Sequence, residues 1–588
     1  MRQNILIAII AVAAFGAGLF GFYFGSSNLP PSNSPLIKGG ENETTRTHSS
    51  YIMDKSVYDG FSQSTSDLPP TSSPLSKGGE TIFAGVVPHH LLVGKYISGF
   101  FAKLQKQKPE VVVLIGPNHP QAGRSAVVSG LYDWNTPYGE LPAAEKIISE
   151  LARQNLITIN DGLLGKENSI GALAPFIKQT WGKTKFVPLI VKNSAKPEQL
   201  RNLTDALVKL LPKNSLVLAS VDFSHYLPKE VADFHDELSI NVLETGDEER
   251  VAKMEIDSQP SIRFLLDYTR AIGARKFNLL YHTNSADIMH QPELAETTSH
   301  VLGYFIAGEL SASKSVSLQF FGDMMLERNV ARAMGTSGLD YLLGDLRGKE
   351  NRFFAGMDLI VANLEGPFAP ARIQTSKSIA FRFDPALAGQ LKKYNFGAFS
   401  LANNHLLDMG WKNLDFTKKI LEQNDLGYFG DQWREGPEYT LLEGSVAFIG
   451  INNTDHNLDM KKLKEALDEA RHNAEYVIVM PHWGVEYQQT SNQNQRDLAH
   501  WLIDNGADAV VGSHPHVTQE MKIYKDAPIF YSLGNFIFDQ YFSKETQEGL
   551  SVGLILQDGK VKKIYQFPFY GEKSKVRLKG SVAGDRQN

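Results

Sequence analysis

Short apolar runs separated by amphipathic stretches organise the C-terminal half of the chain. Runs rich in β-branched and aromatic residues that stop at Gly, Asn or Asp are typical of buried strands. We therefore predict strands at Ser315–Phe321, Asp358–Ala362, Phe396–Leu401, Tyr476–Met480 and Ala509–Val511. Apolar residues recur at helical spacing between them, as in Leu414–Asn424, Leu463–His472 and Gln493–Asn505. Strands alternating with helices predict an α/β domain over about 315–572.

Polar side chains lie just beyond the end of each of these strands. They are Asp323, Glu365, Asn404 followed by His405, His482, and the pair His514 and His516. One such Asp often caps a helix and one such His is usually a hydrogen-bonded polar group. Five in one domain are better explained by a shared centre, because parallel strands end at the same edge of a sheet.

The ligand types in this set indicate a metal site. The chain has no cysteine, so carboxylates, imidazoles and amides must supply the ligands. Such a set suits Mn, Fe or Zn, as one ion or two. Two ions support phosphoester hydrolysis, in which Glu365 is the natural bridging ligand and His405 is placed to protonate the leaving group.

A second α/β pattern covers about 81–310. Its predicted strands are Thr81–Val87, Val111–Ile115 and Leu216–Val221, with helices such as Gly94–Gln107 and Gln199–Leu211 between them. The residues that follow these strands form a candidate binding cleft: His89, His119, Asp222 and His225. They predict either a weak binding site or a scaffold whose histidines are hydrogen-bonded within a polar cleft.

The N-terminal segment predicts a membrane protein. Ile5–Phe24 carries no charge and follows Arg2, which predicts a transmembrane anchor over 1–25 with its N-terminus in the cytoplasm. A cleaved signal peptide ending near Gly25 is the alternative. Both interpretations export the rest of the chain, so we expect a single-pass protein of the cell membrane with its domains on the extracytoplasmic side.

The remaining segments predict little folded structure. Residues 26–80 are rich in Pro, Ser and Gly and contain a repeat, since Pro30–Glu41 returns as Pro69–Glu80. We expect a disordered linker there and a flexible tail over 573–588. The net charge of −6 does not indicate binding of nucleic acid, and nucleic acid is not expected as a partner.

The phrases of the C-terminal domain closely resemble the CapA family of capsule and poly-γ-glutamate biosynthesis, which is similar in fold to calcineurin-like metallophosphatases. They are FGDMML, ANLEGP, FSLANNHLLDMG, PHWGVEY, GSHPHV and IFYSLGNFIFDQ, the last of which includes Asn535 and Asp539. The resemblance implies a four-layer α/β/β/α sandwich. It places Asp323 and His516 on one metal, with Asn404, His482 and His514 on the other and Glu365 between. The phosphatase pattern has Asp-x-His at the first strand, whereas Asp323 is followed here by Met324 and Met325, so the first metal is one ligand short.

The phrases VVPHH, LIGPNHP, DWNTPYGEL, ASVDFSHY and TTSHVLGYF resemble the Memo-like family, known in bacteria as AmmeMemoRadiSam system protein B. That family has a histidine, one of its metal ligands, where this chain has Asn168.

The principal functional hypothesis is a metal-dependent hydrolase acting on an envelope polymer or its phosphorylated precursor, in contact with a polymer-synthesis complex. The alternative is a non-catalytic accessory that binds polymer or partner proteins during export.

Overall fold

The computed structural model of the protein describes residues 47–63, 80–346, 349–432, 436–455 and 457–579, which form a mixed α/β structure. The chain divides into two compact units, each made of separate segments. The first unit contains the residues up to Phe223 together with Ile256–His290 and His300–Leu310. The second contains Ser224–Glu255, Gln291–Ser299 and the chain from Ser311. The predicted domains, by contrast, are continuous segments.

The described strands, in chain order, are β1 Thr47–Ser49, β2 Ile82–Val87, β3 Val111–Pro117, β4 Val127–Ser129, β5 Asp133–Thr136, β6 Gly139–Leu141, β7 Thr158–Ile159, β8 Lys185–Val191, β9 Ser215–Ser220, β10 His225–Leu227, β11 Lys276–Asn284, β12 Thr297–Ile306, β13 Val316–Met324, β14 Leu359–Leu364, β15 Phe396–Ser400, β16 Gly427–Phe429, β17 Tyr439–Leu442, β18 Val446–Asn452, β19 Tyr476–His482, β20 Ala509–Val511, β21 Met521–Tyr524, β22 Ala527–Phe530, β23 Asn535–Ile537, β24 Glu548–Gln557, β25 Lys560–Glu572 and β26 Lys575–Leu578.

The described α-helices are α1 Lys55–Gln63, α2 Gly94–Leu104, α3 Glu145–Arg153, α4 Asp161–Leu164, α5 Asn168–Gly171, α6 Ala174–Thr180, α7 Pro197–Leu210, α8 Lys229–Thr245, α9 Gln259–Ala271, α10 Ser285–Met289, α11 Arg328–Met334, α12 Leu339–Leu343, α13 Leu387–Lys393, α14 Trp411–Gln423, α15 Met460–Asn473 and α16 Gln493–Asp504. Short 3₁₀ turns lie at Leu91–Val93, Arg250–Lys253, Lys349–Phe354 and Glu545–Gln547.

The first unit is built on one main sheet, in which the strands run in the order β12-β2-β9-β3-β8-β4-β7 and β11 also pairs with β12. Strands β2, β9, β3 and β8 are parallel neighbours. Their carboxyl ends therefore meet at one edge, which is where the candidate binding cleft begins. A separate three-stranded sheet has the order β1-β5-β6.

The second unit contains two sheets stacked face to face. One has the order β16-β15-β14-β13-β24-β25-β26 with β23 on β13, and the other has the order β17-β18-β19-β20-β22-β21. A shared apolar core between them includes Phe320 from the first sheet and Phe448 from the second. Helices cover both outer faces, with Leu414 of α14 packed on the first sheet and Leu467 of α15 packed on the second.

The predicted fold class included an N-terminal transmembrane helix. That prediction is corrected, because the described residues form a mixed α/β fold without such a helix. The longest helix of the described residues, Lys229–Thr245, has 17 residues. None of the described helices is both long and apolar enough to cross a bilayer, which takes about 20 apolar residues. The predicted span at Ile5–Phe24 lies outside the described residues. The predicted single-pass localisation in the cell membrane, which depended on that helix, is therefore not supported.

Part of the segment predicted as a disordered linker is folded. Residues 47–63, within 26–80, form β1 and α1. Tyr58 and Phe61 of α1 are buried, and their rings lie 5.1 and 6.2 Å from that of Phe176. Val57, Tyr58 and Phe61 are the buried residues of this helix, and their packing holds it on the first unit although the surrounding composition is polar.

Candidate metal centre

A β-bulge positions Asp323 at the end of β13. The register between β13 and β14 shifts between Phe321 and Asp323, so that Gly322 is the extra residue and Asp323 pairs with Asn363. A Cβ on Gly322 would lie 1.9 Å from the carbonyl oxygen of Gly534. Only glycine permits this close approach, which places Asp323 beside the next strand.

Asp323, Glu365 and His516 form the first group of potential ligands. All three are buried, and one ligand atom from each lies within 4.8 Å of the others. His516 Nδ1 is 3.3 Å from Asp323 Oδ2, and His516 Nε2 is 3.6 Å from Glu365 Oε1. Among the described residues, Glu365 Oε1 has no hydrogen-bond partner. A buried carboxylate oxygen without a donor is unfavourable, and a cation held at this point would satisfy it.

His482, His514 and Asn404 form a second group in the same unit. His482 Nε2 lies 3.0 Å from Asn404 Oδ1 and 3.2 Å from His514 Nδ1. His514 and His516 have φ values of 96° and 58°. Such backbone strain in residues other than glycine persists only where the surroundings fix it, and it is concentrated at functional sites.

Amide and hydroxyl side chains orient both groups. Asn363 Nδ2 donates to Asp323 Oδ1 at 2.8 Å, and Asn403 Nδ2 donates to Asn363 Oδ1 at 3.1 Å. His482 Nδ1 lies 3.0 Å from Ser513 Oγ, and His516 Nδ1 lies 2.9 Å from Asn535 Oδ1. With Nδ1 engaged in this way, each imidazole directs Nε2 towards the other potential ligands.

The sequence patterns predict no role for Asn363, Asn403 or Ser513, and they identify Asn535 only as part of a family phrase. The sequence positions of Asn363 and Asn403 could have indicated that they lie at the site. Asn363 stands two residues before Glu365, and Asn403 stands directly before Asn404. For Ser513 and Asn535 the partners are distant in sequence and only the fold identifies them.

Burial and neighbouring charges shift the pKa values of the two ligand groups in different directions. Burial, reinforced by the charge of Asp323, raises the pKa of Glu365 well above its usual range. Burial lowers the pKa of His516, but the carboxylates of Glu365 and Asp323 outweigh it and raise that pKa to about 9. Burial and neighbouring histidines lower the pKa of His514 to about 4 and that of His482 well below 6.5. His482 and His514 are therefore neutral at pH 7, the form in which imidazole binds metals.

The lowered pKa of His514 predicts acid sensitivity of the metal-free protein. The unfolded chain binds a proton at this residue below about pH 6.5, whereas the folded chain does so only near pH 4, so stability falls as the pH falls through this window. The shift corresponds to roughly 3 kcal/mol. Denaturant melts of the metal-free protein between pH 7 and 4.5 should show this loss, and it should be smaller in His514→Asn. An unchanged pH dependence in His514→Asn, with exposed His472→Asn as control, would contradict the assignment.

His405 lies beside the second group, in the loop after β15. Its Nδ1 donates to Asp408 Oδ2 at 2.7 Å, and Lys377 Nζ donates to Asp408 Oδ1 at 2.7 Å. The ring of Phe381 lies 4.2 Å from that of His405. The imidazole is thus held by a buried carboxylate on one side and an aromatic ring on another, and the arrangement leaves Nε2 for proton transfer.

The predicted cleft in the first unit is a network of histidines and carboxylates. His89 Nε2 is 3.4 Å from both Asp222 Oδ2 and Asp257 Oδ2, and His119 Nδ1 is 2.6 Å from Glu167 Oε1. One ligand atom each from His89, His119 and Asp257 lies within 4.8 Å of the others. Neither Asp257 nor the carboxylate of Glu167 is predicted as a site residue from the sequence.

Asn168 stands where the Memo-like family has a histidine, and His225 is the fourth residue of the predicted cleft. Asn168 begins the short helix α5. His225 belongs to the second unit, where its backbone N–H donates to Glu255 Oε2 at 3.0 Å. The structure therefore brings together His89, His119 and Asp222 within the first unit. The described residues contain more than one group that could hold a metal ion.

Comparisons with known proteins find two family models, each matching a different part of the chain. Residues 317–540 match the family model described as bacterial capsule synthesis protein PGA_cap, and residues 64–304 match the model described as Memo-like protein. The chain is 28% identical over 264 residues to capsule biosynthesis protein CapA of Bacillus anthracis, covering 40% of this chain and 63% of that protein. It is 30% identical over 256 residues to PGA biosynthesis protein CapA of Bacillus subtilis (strain 168), covering 40% of this chain and 66% of that protein.

The preceding part of the chain is similar to MEMO1 family proteins. The chain is 27% identical over 219 residues to a MEMO1 family protein of Pyrobaculum aerophilum, covering 34% of this chain and 76% of that protein. The chain spans slightly less than two thirds of the length of the two CapA relatives. The chain therefore combines a region similar to Memo-like proteins with a region similar to bacterial capsule synthesis proteins.

Proposed function

We propose that the capsule-synthesis domain is a metal-dependent phosphoesterase that acts on a capsule or poly-γ-glutamate type of polymer, or on its phosphorylated precursor. The observation that carries this proposal is the unsatisfied Oε1 of buried Glu365, which lies beside His516 and within the same ligand group as Asp323. The second group, formed by His482, His514 and Asn404, gives the domain the ligands for a second ion.

The donor set fits the metals that the residue types indicate. Asp323, Glu365 and His516 would hold one ion, and Asn404, His482 and His514 would hold the other. Imidazole, carboxylate and amide oxygen suit Mn, Fe or Zn. When bound, such ions would activate water and stabilise negative charge on a phosphoryl group.

The protein's own residues supply proton transfer and orientation. His405 is the group we assign to donate a proton to the leaving oxygen, from the Nε2 side of its ring. Asp408 holds the ring through Nδ1. Lys377 fixes Asp408 and also donates to the carbonyl oxygen of Asn404 at 2.6 Å. Lys377 therefore contacts both Asp408, which holds His405, and the backbone of the potential ligand Asn404. These contacts fix the position of the proton donor relative to that ligand.

The surface beside this centre has room for a substrate. A cavity of about 400 Å³ is lined by Asn404 and Lys377 from the centre and by Trp411, Gln432 and Asp455 further out. Trp411 is 46% exposed. An exposed aromatic ring among polar groups suits a ligand with both apolar faces and hydrogen-bonding groups, which a neutral fragment of a polymer precursor would provide.

One observation favours the alternative of a non-catalytic accessory. Met324 and Met325 follow Asp323, and Met325 stands where the phosphatase pattern has a histidine ligand; both are fully buried in the apolar core. The first group therefore gains no ligand from this position, and weak retention of that ion would leave the domain as a binding module.

Metal removal separates the two candidates. We expect the full chain stripped with a chelator to hydrolyse bis(p-nitrophenyl) phosphate no faster than buffer, and added Mn²⁺, Fe²⁺ or Zn²⁺ to restore turnover. Metal content measured in the same samples should rise to one or two ions per chain. A protein that binds these ions and hydrolyses no phosphoester in a broad panel would favour the accessory role.

A further inference from the structure

Arg328 is held rigidly at the margin of the candidate metal centre. Its Nε donates to Asp539 Oδ2 at 3.1 Å, and its Nη2 donates to the other oxygen of the same carboxylate. The backbone N–H of Asn329 donates to Asp539 Oδ2 at 3.2 Å. The side chain of Asp539 is 2% exposed. A buried carboxylate thus fixes the plane of the guanidinium through two parallel hydrogen bonds.

Two aromatic rings connect this guanidinium to the centre. Arg328 Cζ lies 5.1 Å from the centroid of Phe381 and 6.0 Å from that of Phe538. The ring of Phe381 is 4.2 Å from that of His405, and the ring of Phe538 is 4.7 Å from that of His516. The positive charge therefore lies above the rings that touch the assigned proton donor and a potential metal ligand.

The backbone of Arg328 is strained and its side chain is accessible. Its φ is 55°, a conformation that side chains other than Asn, Asp and Gly rarely adopt. Its side chain is 34% exposed. A guanidinium has five N–H donors, and the two bonds to Asp539 use only two of them. A strained backbone that keeps a fixed, accessible cation beside a reactive centre is typical of a ligand-binding position.

We propose that Arg328 binds an oxyanion of the substrate at this centre. The inference rests on the proposed function and names the chemistry of its substrate. The ligand is a phosphate or carboxylate group, which guanidinium binds through charge-assisted hydrogen bonds. The oxyanion comes either from the phosphoryl group under attack or from a neighbouring carboxylate of the polymer.

Binding of inorganic phosphate tests the inference without turnover. In the full chain loaded with Mn²⁺, we expect phosphate to bind near the metal, measured as ³¹P relaxation by the paramagnetic ion. Arg328→Gln should weaken phosphate binding by about 10–100-fold, the effect of losing hydrogen bonds from a charged donor. Arg328→Lys, which keeps the charge and loses the fork, should weaken it by less. The control is Arg471→Gln, since Arg471 pairs with Asp508 at the opposite ends of the strands.

A second probe distinguishes the two sources of the oxyanion. A γ-linked glutamate oligomer should compete with p-nitrophenyl phosphate in wild-type protein. If Arg328→Gln weakens phosphate binding and leaves the oligomer unaffected, Arg328 binds the phosphoryl group. If it weakens only the oligomer, Arg328 binds a carboxylate. Either result supports the inference.

Unchanged affinity for both probes in Arg328→Gln, at unchanged metal content, would overturn the inference while leaving the proposed function in place. Arg328-dependent phosphate binding without turnover of any ester would instead overturn the proposed function alone. Wild-type protein that binds neither probe would overturn the inference. If Arg328→Gln fails to fold, the smaller loss of affinity expected in Arg328→Lys decides, and affinities equal to those of the wild type in that variant would overturn binding through the guanidinium.

Discussion

Glu365→Gln is expected to have opposite effects on metal binding and on the stability of the metal-free protein. Loss of the carboxylate should weaken metal binding by more than about 100-fold, because changes to groups that only orient ligands already reduce it 10–100-fold. Burial and Asp323 raise the pKa of Glu365, so ionisation of this group destabilises the folded, metal-free state progressively as the pH rises above the ordinary value of 4.5. A neutral amide removes that penalty at neutral pH.

Isothermal titration with Mn²⁺ and denaturant melts after chelation measure the two effects on the same protein. Glu422→Gln is a matched control, since Glu422 lies on α14 and accepts a hydrogen bond from the hydroxyl of Tyr428. General structural damage would lower both quantities. A Glu365→Gln protein that binds Mn²⁺ as wild type does would exclude Glu365 as a ligand.

His405→Ala should lower kcat by about 10²–10⁴-fold, the usual contribution of a general acid, while metal content stays unchanged. The reason is geometric, because His405 is held by Asp408 and the described contacts place none of its ring nitrogens on either ligand group. Metal analysis and steady-state kinetics on an aryl phosphodiester check both parts.

A leaving group of low pKa provides a sharper test of the same role. Such a group needs little protonation, so the loss in His405→Ala should shrink as the pKa of the leaving phenol falls. His472→Ala, at an exposed position of α15, should behave as wild type. An equal loss with every leaving group would contradict proton donation, and a loss of bound metal would make His405 a ligand.

The positions of the potential ligands could be predicted because parallel strands impose a simple rule. Five strands predicted from apolar runs in the C-terminal domain agree closely with β13, β14, β15, β19 and β20. Side chains that follow such strands must lie at one edge of their sheet. Asp323, Glu365 and His482 follow the rule directly, and all three are buried.

The supporting network could not be predicted in the same way. The partners of His482 and His516, Ser513 and Asn535, lie 31 and 19 residues away in sequence. Their contacts depend on how two sheets stack and on the turns around Gly322 and His514. Periodicity describes which face of an element is apolar, and it carries no information on these distances.

Arg328 and the segment 47–63 illustrate two further limits. Nothing in the apolar pattern distinguishes Arg328 from a solvent-exposed arginine at the start of a helix, because its partner Asp539 is 211 residues away. The segment 47–63 lies in a polar composition typical of linkers, yet a few buried aromatic residues order it. In both cases a small number of distant contacts outweighs the local composition.

The stacking of the two sheets has a consequence for how the protein matures. Asp323 and Glu365 belong to one sheet and His482 and His514 to the other, and the His514 N–H that donates to Asp323 Oδ2 comes from 191 residues further along the chain. A growing polypeptide therefore cannot present a complete metal site until synthesis has passed His516. Binding of the proposed ions would then be a late step that follows assembly of both sheets. In a chain without cysteines, it would also act as a reversible cross-link between them.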